Sequence, residues 1–152
     1  VLIDFKAGGK VFSATNAYMT LFGLHKETLN GREGGIVGVG VTEGGQTNTK
    51  RVDAQDYYER IGGQIGVPFV YDASYVRLRQ VALGFDLPAT WLENTPLRKV
   101  TLSLVGRNLS LLFSKTPNID PESNISVTNA QGLELAGVPP TRTVGLNLNV
   151  KF

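Results

Sequence analysis

Residues able to do chemistry are few and scattered in this sequence. The one histidine, His25, stands in a polar stretch with no partner in view. Cysteine is absent, which excludes a thiolate nucleophile, a disulfide framework and a Cys-based zinc or iron–sulfur site. Any Ser-His-Asp triad would hang on His25. Carboxylates stand close together at Asp53 and Asp56, and again at Asp120 and Glu122, the raw material of an acid/base pair. On polar loops, solvated carboxylates are the simpler reading. Asn118, Asp120, Glu122 and Asn124 place oxygen ligands at alternate positions, as a calcium loop does. Ser123 then stands where the sharp turn needs Gly, and Asn129 where a bidentate Glu belongs. A turn stabilised by Asp120 ahead of Pro121 explains the same residues.

Gly31 to Gly40 is glycine-rich but lacks the Gly-Lys-Ser/Thr ending of a phosphate loop, and no helical pattern follows it directly. Asn108-Leu-Ser110 and Asn124-Ile-Ser126 match the glycosylation acceptor pattern by chance. No set of residues converges on catalysis, a cofactor or a metal, so the sequence reads as a non-enzyme without a cofactor. Tyr57, Tyr58, Phe69 and Tyr71 are the remaining candidates. Aromatics in an exposed loop pack that loop's own core, the favoured reading, or anchor a partner, the second.

The elements that position these residues are mostly strands. The 152 residues are 41% hydrophobic and only 18% charged, below the roughly 25% usual in soluble domains. The formal charge of +2 gives nucleic-acid binding little support. No apolar run is long enough for a membrane-spanning helix, which needs about 18 residues. A β-barrel stays allowed, because its strands carry only an alternating signal. Val1, Ile3 and Phe5 alternate with Leu2, Asp4 and Lys6, a strand that reads as entered partway, so the chain is expected to start inside a longer protein. Val144, Leu146, Leu148, Val150 and Phe152 alternate with Thr143, Gly145, Asn147, Asn149 and Lys151, giving one greasy face and one wet face.

Two longer strands, over 75–87 and 98–113, start in one phase and end in the other. Val76 and Leu78 are even-numbered, but Val81, Leu83, Phe85 and Leu87 are odd. Val100, Leu102 and Leu104 are even, but Leu109, Leu111 and Phe113 are odd. A one-residue slip flips every later side chain, so the pattern predicts either β-bulges near Arg79–Gln80 and Gly106–Asn108 or strands partly buried on both faces at one end. Pro88 and Pro96 stop pairing and mark 88–97 as a short connector. Residues 7–74 and 114–141 read as two long loops. The first contains paired glycines at 8–9, 34–35, 44–45 and 62–63 and helical patches near Asn16–Phe22 and Asp53–Ile61.

Short turns alternating with long loops are the signature of transmembrane barrels. The fold class read from this is all-β: the C-terminal strands (about 1–6, 75–87, 98–113 and 142–152) of a large transmembrane antiparallel barrel with long extracellular loops. Four strands cannot close a barrel, since the smallest have about eight. The competing class is a soluble β-domain, a surface or periplasmic binding module that buries its own apolar face.

Several segments carry a family resemblance. They are Asp72-Ala-Ser-Tyr-Val-Arg-Leu-Arg-Gln-Val-Ala-Leu-Gly-Phe-Asp-Leu-Pro88, Val105-Gly-Arg-Asn-Leu109, Asn118-Ile-Asp-Pro-Glu122 and the closing Val138-Pro-Pro-Thr-Arg-Thr-Val-Gly-Leu-Asn-Leu-Asn-Val-Lys-Phe152. Asp4-Phe-Lys-Ala-Gly-Gly-Lys-Val-Phe12 and Arg51-Val-Asp-Ala-Gln-Asp-Tyr-Tyr58 extend it to nearly the whole chain. In this order they resemble the C-terminal part of SusC/RagA-like TonB-dependent outer-membrane transporters. The resemblance implies a plugged barrel of about 22 strands in the bacterial outer membrane. Such a barrel imports oligosaccharides or peptides, is energised by TonB through upstream parts of the chain, and is paired with a SusD-like surface lipoprotein. It further implies that 88–97 is periplasmic, that 7–74 and 114–141 are extracellular, and that Val144, Leu146, Leu148, Val150 and Phe152 face lipid. Tyr57 and Tyr58 become candidate contacts to the lipoprotein.

Overall fold

The computed structural model describes residues 1–123 and 130–152. They form two compact units. A sheet unit comprises residues 1–8, 73–115 and 139–152, and a helical unit comprises 9–72 and 116–138.

In the sheet unit, β1 (Leu2–Lys6), β6 (Tyr75–Asp86), β7 (Lys99–Ser114) and β9 (Thr143–Lys151) form one antiparallel sheet in the order β1-β6-β7-β9. These are the four segments with alternating sequence. Between β6 and β7 the chain turns through Pro88 and a short 3-10 stretch at Ala89–Trp91, and Leu92 is buried. β1 and β9 are the edges of the sheet, and no barrel closes among the described residues.

Both slips of phase are visible in the register. Leu2 pairs with Gln80 and Ile3 with Leu78, so Arg79 is the extra residue of β6 against β1. Leu78 pairs with Ser110 and Gln80 with Arg107, so β7 carries its own extra residue at Asn108–Leu109. Asn108 takes up the slip with φ 51, the left-handed region that Asn tolerates better than most side chains. A Cβ on Gly106 would stand 2.8 Å from Cδ2 of Leu109. The Leu109 side chain thus lies over Gly106, on the face shared by Leu102 and Leu104, and the bulge returns the apolar phase to that face. A further shift, between Phe113 and Leu111 opposite Val76 and Arg77, has no counterpart in the sequence reading.

The helical unit is where sequence and structure differ. Residues 7–74 and 114–141 read as separate loops, yet most of both fold into one unit with a core of its own. β2 (Lys10–Ser13), β5 (Val70–Asp72) and β8 (Leu133–Glu134) form a sheet in the order β5-β2-β8. β3 (Ile36–Val37) and β4 (Arg51–Val52) form a small ribbon. Strands of two to four residues are too short to show alternation. The helices are α1 (Ala14–Leu21) and α2 (Ala54–Gln64). Ser13 caps α1 by accepting the Asn16 N–H at 3.0 Å, and Asp53 caps α2 by accepting the Gln55 N–H at 2.7 Å. Each such cap is worth about 1 kcal/mol.

The two helices meet at Gly62. A Cβ there would lie 2.5 Å from the Leu21 nitrogen and 2.7 Å from the Ala17 carbonyl oxygen, so only glycine permits this approach. Around the contact Val11, Ala17, Ala54 and Phe69 are buried together with polar Ser13, Asn16, Thr28 and Glu134.

Candidate functional site

The sheet has two chemically distinct faces, and register aligns them across strands. Phe85, Leu102 and Leu148 form one row, Leu83, Leu104 and Leu146 the next, and Val81, Gly106 and Val144 a third. Val100 and Val150 pair below them. At the far end Phe5, Val76 and Phe113 share a row. Large side chains on this face stand open: Leu146 is 75% exposed, Val144 70%, Leu83 67% and Leu148 62%. Contiguous exposed apolar patches mark protein–protein, membrane or ligand contacts. Val144, Leu146, Leu148 and Val150 are thus brought together. Phe152 lies just past the end of β9 and is exposed.

The reverse face is mostly polar: Asp86, Thr101 and Asn149, then Gly84, Ser103 and Asn147, then a row of small and apolar residues, Ala82, Val105 and Gly145, then Gln80, Arg107 and Thr143. Asp86 accepts from the Thr101 hydroxyl at 2.5 Å and pairs with Lys99 at 2.6 Å. Higher up, Arg79 pairs with Asp4 at 2.6 Å and donates to the side-chain oxygen of Asn108 at 3.2 Å. The Asn108 amide donates onward to the Thr141 carbonyl at 3.4 Å. This belt runs from β1 to the segment leading into β9. Sequence reading missed it, although Arg79 and Asn108 sit where the phase slips.

In the helical unit the candidate residues make contacts within the unit. Tyr57 and Tyr58 are half-buried and meet edge to face, ring centroids 5.2 Å apart. The Tyr58 hydroxyl donates to the Glu27 carbonyl at 2.7 Å. Burial first, then the neighbouring Tyr57 and Glu27, raise its pKa above the usual tyrosine value. Tyr57 packs against Gly38, where a Cβ would come within 3.2 Å of its ring. Phe69 is buried, and burial raises the pKa of half-buried Tyr71. His25 is not the partnerless loop residue expected: it is buried, and its Nδ1 accepts the Glu27 N–H at 3.3 Å at the start of a 3-10 turn.

Asp53 is spent on its helix cap, while Asp56 lies in the first turn of α2. A cleft of about 670 Å³ opens beside them, lined by Arg32, Asp53, Gln55, Tyr58 and Glu59 over buried Thr20 and Thr28. Its charged groups are engaged by their own neighbours: Arg32 by the carbonyls of Thr28 and Gly23, at 2.9 and 2.8 Å, and Glu59 by Gln55 at 2.6 Å. The glycine-rich stretch offers its carbonyls to a cation, Arg51 donating to Gly34 at 2.7 Å.

Asp120 accepts the Glu122 N–H at 2.9 Å in a turn before Ser123. Asn118 donates to the buried Asn16 at 3.0 Å, tying this turn to α1. Asn124 and Asn129, named for calcium and glycosylation, lie outside the described residues. Among the described residues, no group of three or more His, Asp or Glu side chains is placed to hold a metal ion. Sequence reading also missed Glu134, 1% exposed, whose carboxylate accepts from the Ser13 and Thr15 hydroxyls at 2.7 and 2.6 Å.

Comparison with known proteins places the chain. It is 41% identical over 90 residues, 55% of its length, to TonB-dependent receptor P3 of Formosa agariphila. It is 36% identical over 89 residues to TonB-dependent receptor P26 of the same organism. The chain is a relative of the TonB-dependent receptors. The matches fit a C-terminal segment of such a receptor and span 9% of each relative's length. No family model matches the chain. Its described portion is mostly strand with few helices, and no helix is long and apolar enough to cross a membrane, which says nothing of crossing by strands.

Proposed function

We propose that the chain forms C-terminal strands and outer loops of a SusC/RagA-like TonB-dependent transporter in the bacterial outer membrane. The transporter imports oligosaccharides or peptides together with a SusD-like surface lipoprotein, and TonB acts through other parts of the parent chain. One observation carries the reading: the exposed apolar rows that run in register across β6, β7 and β9. In hydrocarbon that face needs no cover, whereas a soluble β-domain burying its own apolar face would leave Leu146 and Leu148 covered. The nine residues of β9 suit a membrane strand, which needs about 9–11.

On this reading Val144, Leu146, Leu148, Val150 and Phe152 face lipid, and Thr143, Asn147, Asn149 and Lys151 face the lumen. The connector at 88–97 is periplasmic. The stretches 7–74 and 114–141 are extracellular and contribute to the lipoprotein contact, with Tyr57 and Tyr58 as candidate anchors. Fractionation of the native bacterium tests it. The protein should sediment with the outer membrane and leave it only in detergent. Recovery as freely soluble periplasmic protein would overturn the reading.

A further inference from the structure

Every charged side chain in the paired rows of the sheet stands on one face, and that face is cationic. Lys6, Lys99, Arg107 and Lys151 stand there, with the buried Arg77 directly opposite Asp4 and with Arg79 of the bulge, against two carboxylates, Asp4 and Asp86. Each carboxylate already has a cation, Asp4 held by Arg79 and Asp86 by Lys99, both at 2.6 Å. Lys6, Arg107 and Lys151 have no ion-pair partner among the described residues.

These three are spread along the strands. Lys6 is level with Tyr75, Arg107 with Gln80, and Lys151 with Lys99. At about 3.3 Å per residue, Arg107 lies roughly 17 Å from the first level and roughly 26 Å from the last. Lys151 directly opposes Lys99, a like-charge pairing that costs stability in an antiparallel sheet. A wall that keeps such charges uncompensated at three heights suits a ligand that brings its own anions. Between the cations stand Thr101, Ser103, Thr143, Asn147 and Asn149, whose hydroxyls and amides both donate and accept. Sugar hydroxyls need that mixture.

We propose that this face guides an anionic oligosaccharide, one whose units carry carboxylate or sulfate groups. The inference rests on the transporter reading, in which the polar face lines the lumen, and it narrows the solute from glycans or peptides in general.

Protein purified in detergent from the outer-membrane fraction supplies the test. The probes are an oligogalacturonate, a neutral malto-oligosaccharide of equal length and an oligoglutamate. The oligogalacturonate should bind about tenfold more tightly than the neutral sugar, since focused charge raises local ligand concentration by at least that factor. The preference should fade as salt shortens the screening length. Arg107→Gln with Lys151→Gln should remove most of it while leaving the amount of protein in the outer membrane unchanged. Should that pair reduce the folded amount, Lys6→Gln is measured in its place, with the same expected loss. Equal binding of charged and neutral sugars, or an unaltered preference in folded variants, would overturn the proposal. Oligoglutamate bound as tightly as oligogalacturonate would overturn the saccharide assignment. Absence of the wild-type protein from the outer membrane would instead sink the transporter reading.

Discussion

The guanidinium of Arg79 donates to the side-chain oxygen of Asn108 at 3.2 Å, joining the residues at which β6 and β7 each slip register. The two slips are thereby one feature. Arg79 also holds Asp4 of β1, and Asn108 reaches Thr141 ahead of β9. The belt fixes the phase of the sheet at the level where the register changes.

Replacing Asn108 separates strain from bonding. Asn108→Ala must keep φ 51 without the side chain that tolerates it and loses the Arg79 bond, a combined cost of about 1–3 kcal/mol. Asn108→Gly loses the bond but not the conformation and should cost less. Denaturant midpoints of the detergent-solubilised protein measure both. Equal midpoints would show that backbone conformation contributes nothing there.

The apolar face offers a positional test. Leu146→Arg or Leu148→Arg puts a charge among exposed apolar rows, costing about 2–4 kcal/mol if that face meets the bilayer midplane. Asn147→Arg, one residue away on the reverse face, should be tolerated. Quantifying folded protein in the outer membrane distinguishes them, and equal damage from all three contradicts the two-faced reading.

Neighbouring glycines in α2 should respond in opposite directions. Gly62→Ala drives a methyl into the backbone of α1, 2.5 Å from the Leu21 nitrogen, and neither helix can yield cheaply. It should destabilise the helical unit by about 1–3 kcal/mol. Gly63 meets only the Leu21 Cδ1, at 3.4 Å. Gly63→Ala should gain up to about 1 kcal/mol from helix propensity. Limited proteolysis within 9–72 reads the difference, and similar cleavage of both variants would refute the contact.

Tyr58 links pH to this unit. Its folded pKa is raised above the ordinary tyrosine value of about 10 by burial. Its contribution is therefore intact below about pH 10 and is lost as pH rises through the folded value. Phenolate absorbance should show two tyrosines, Tyr58 and Tyr71, ionising late, and Tyr58→Phe should remove one of the two. Coincident titration of all five tyrosines would deny the shift.

Partner contact is a separate question for the same rings. Tyr57→Ala with Tyr58→Ala in the intact transporter should release the SusD-like lipoprotein in a pull-down while the barrel stays folded. An undiminished complex excludes them as anchors, and loss of the barrel assigns them to structure alone.

Alternation alone located the long strands, because a sheet with one greasy face repeats every second residue. The same arithmetic pointed to slips near Arg79 and Asn108 or to burial of both faces, and the register between strands decided for the slips. The helical patch starting at Asp53 was legible locally as well, and the structure assigns the Asp53 carboxylate to the cap of α2. Tertiary structure decided what distance in sequence conceals. It brought Glu134 to Ser13 and Asn118 to Asn16, contacts more than a hundred residues long with no local period. It joined two apparent loops into one unit through strands too short to alternate. It also placed the cations of four strands on one face, because facing is set by register between strands, and a single strand's sequence does not contain its neighbour's register.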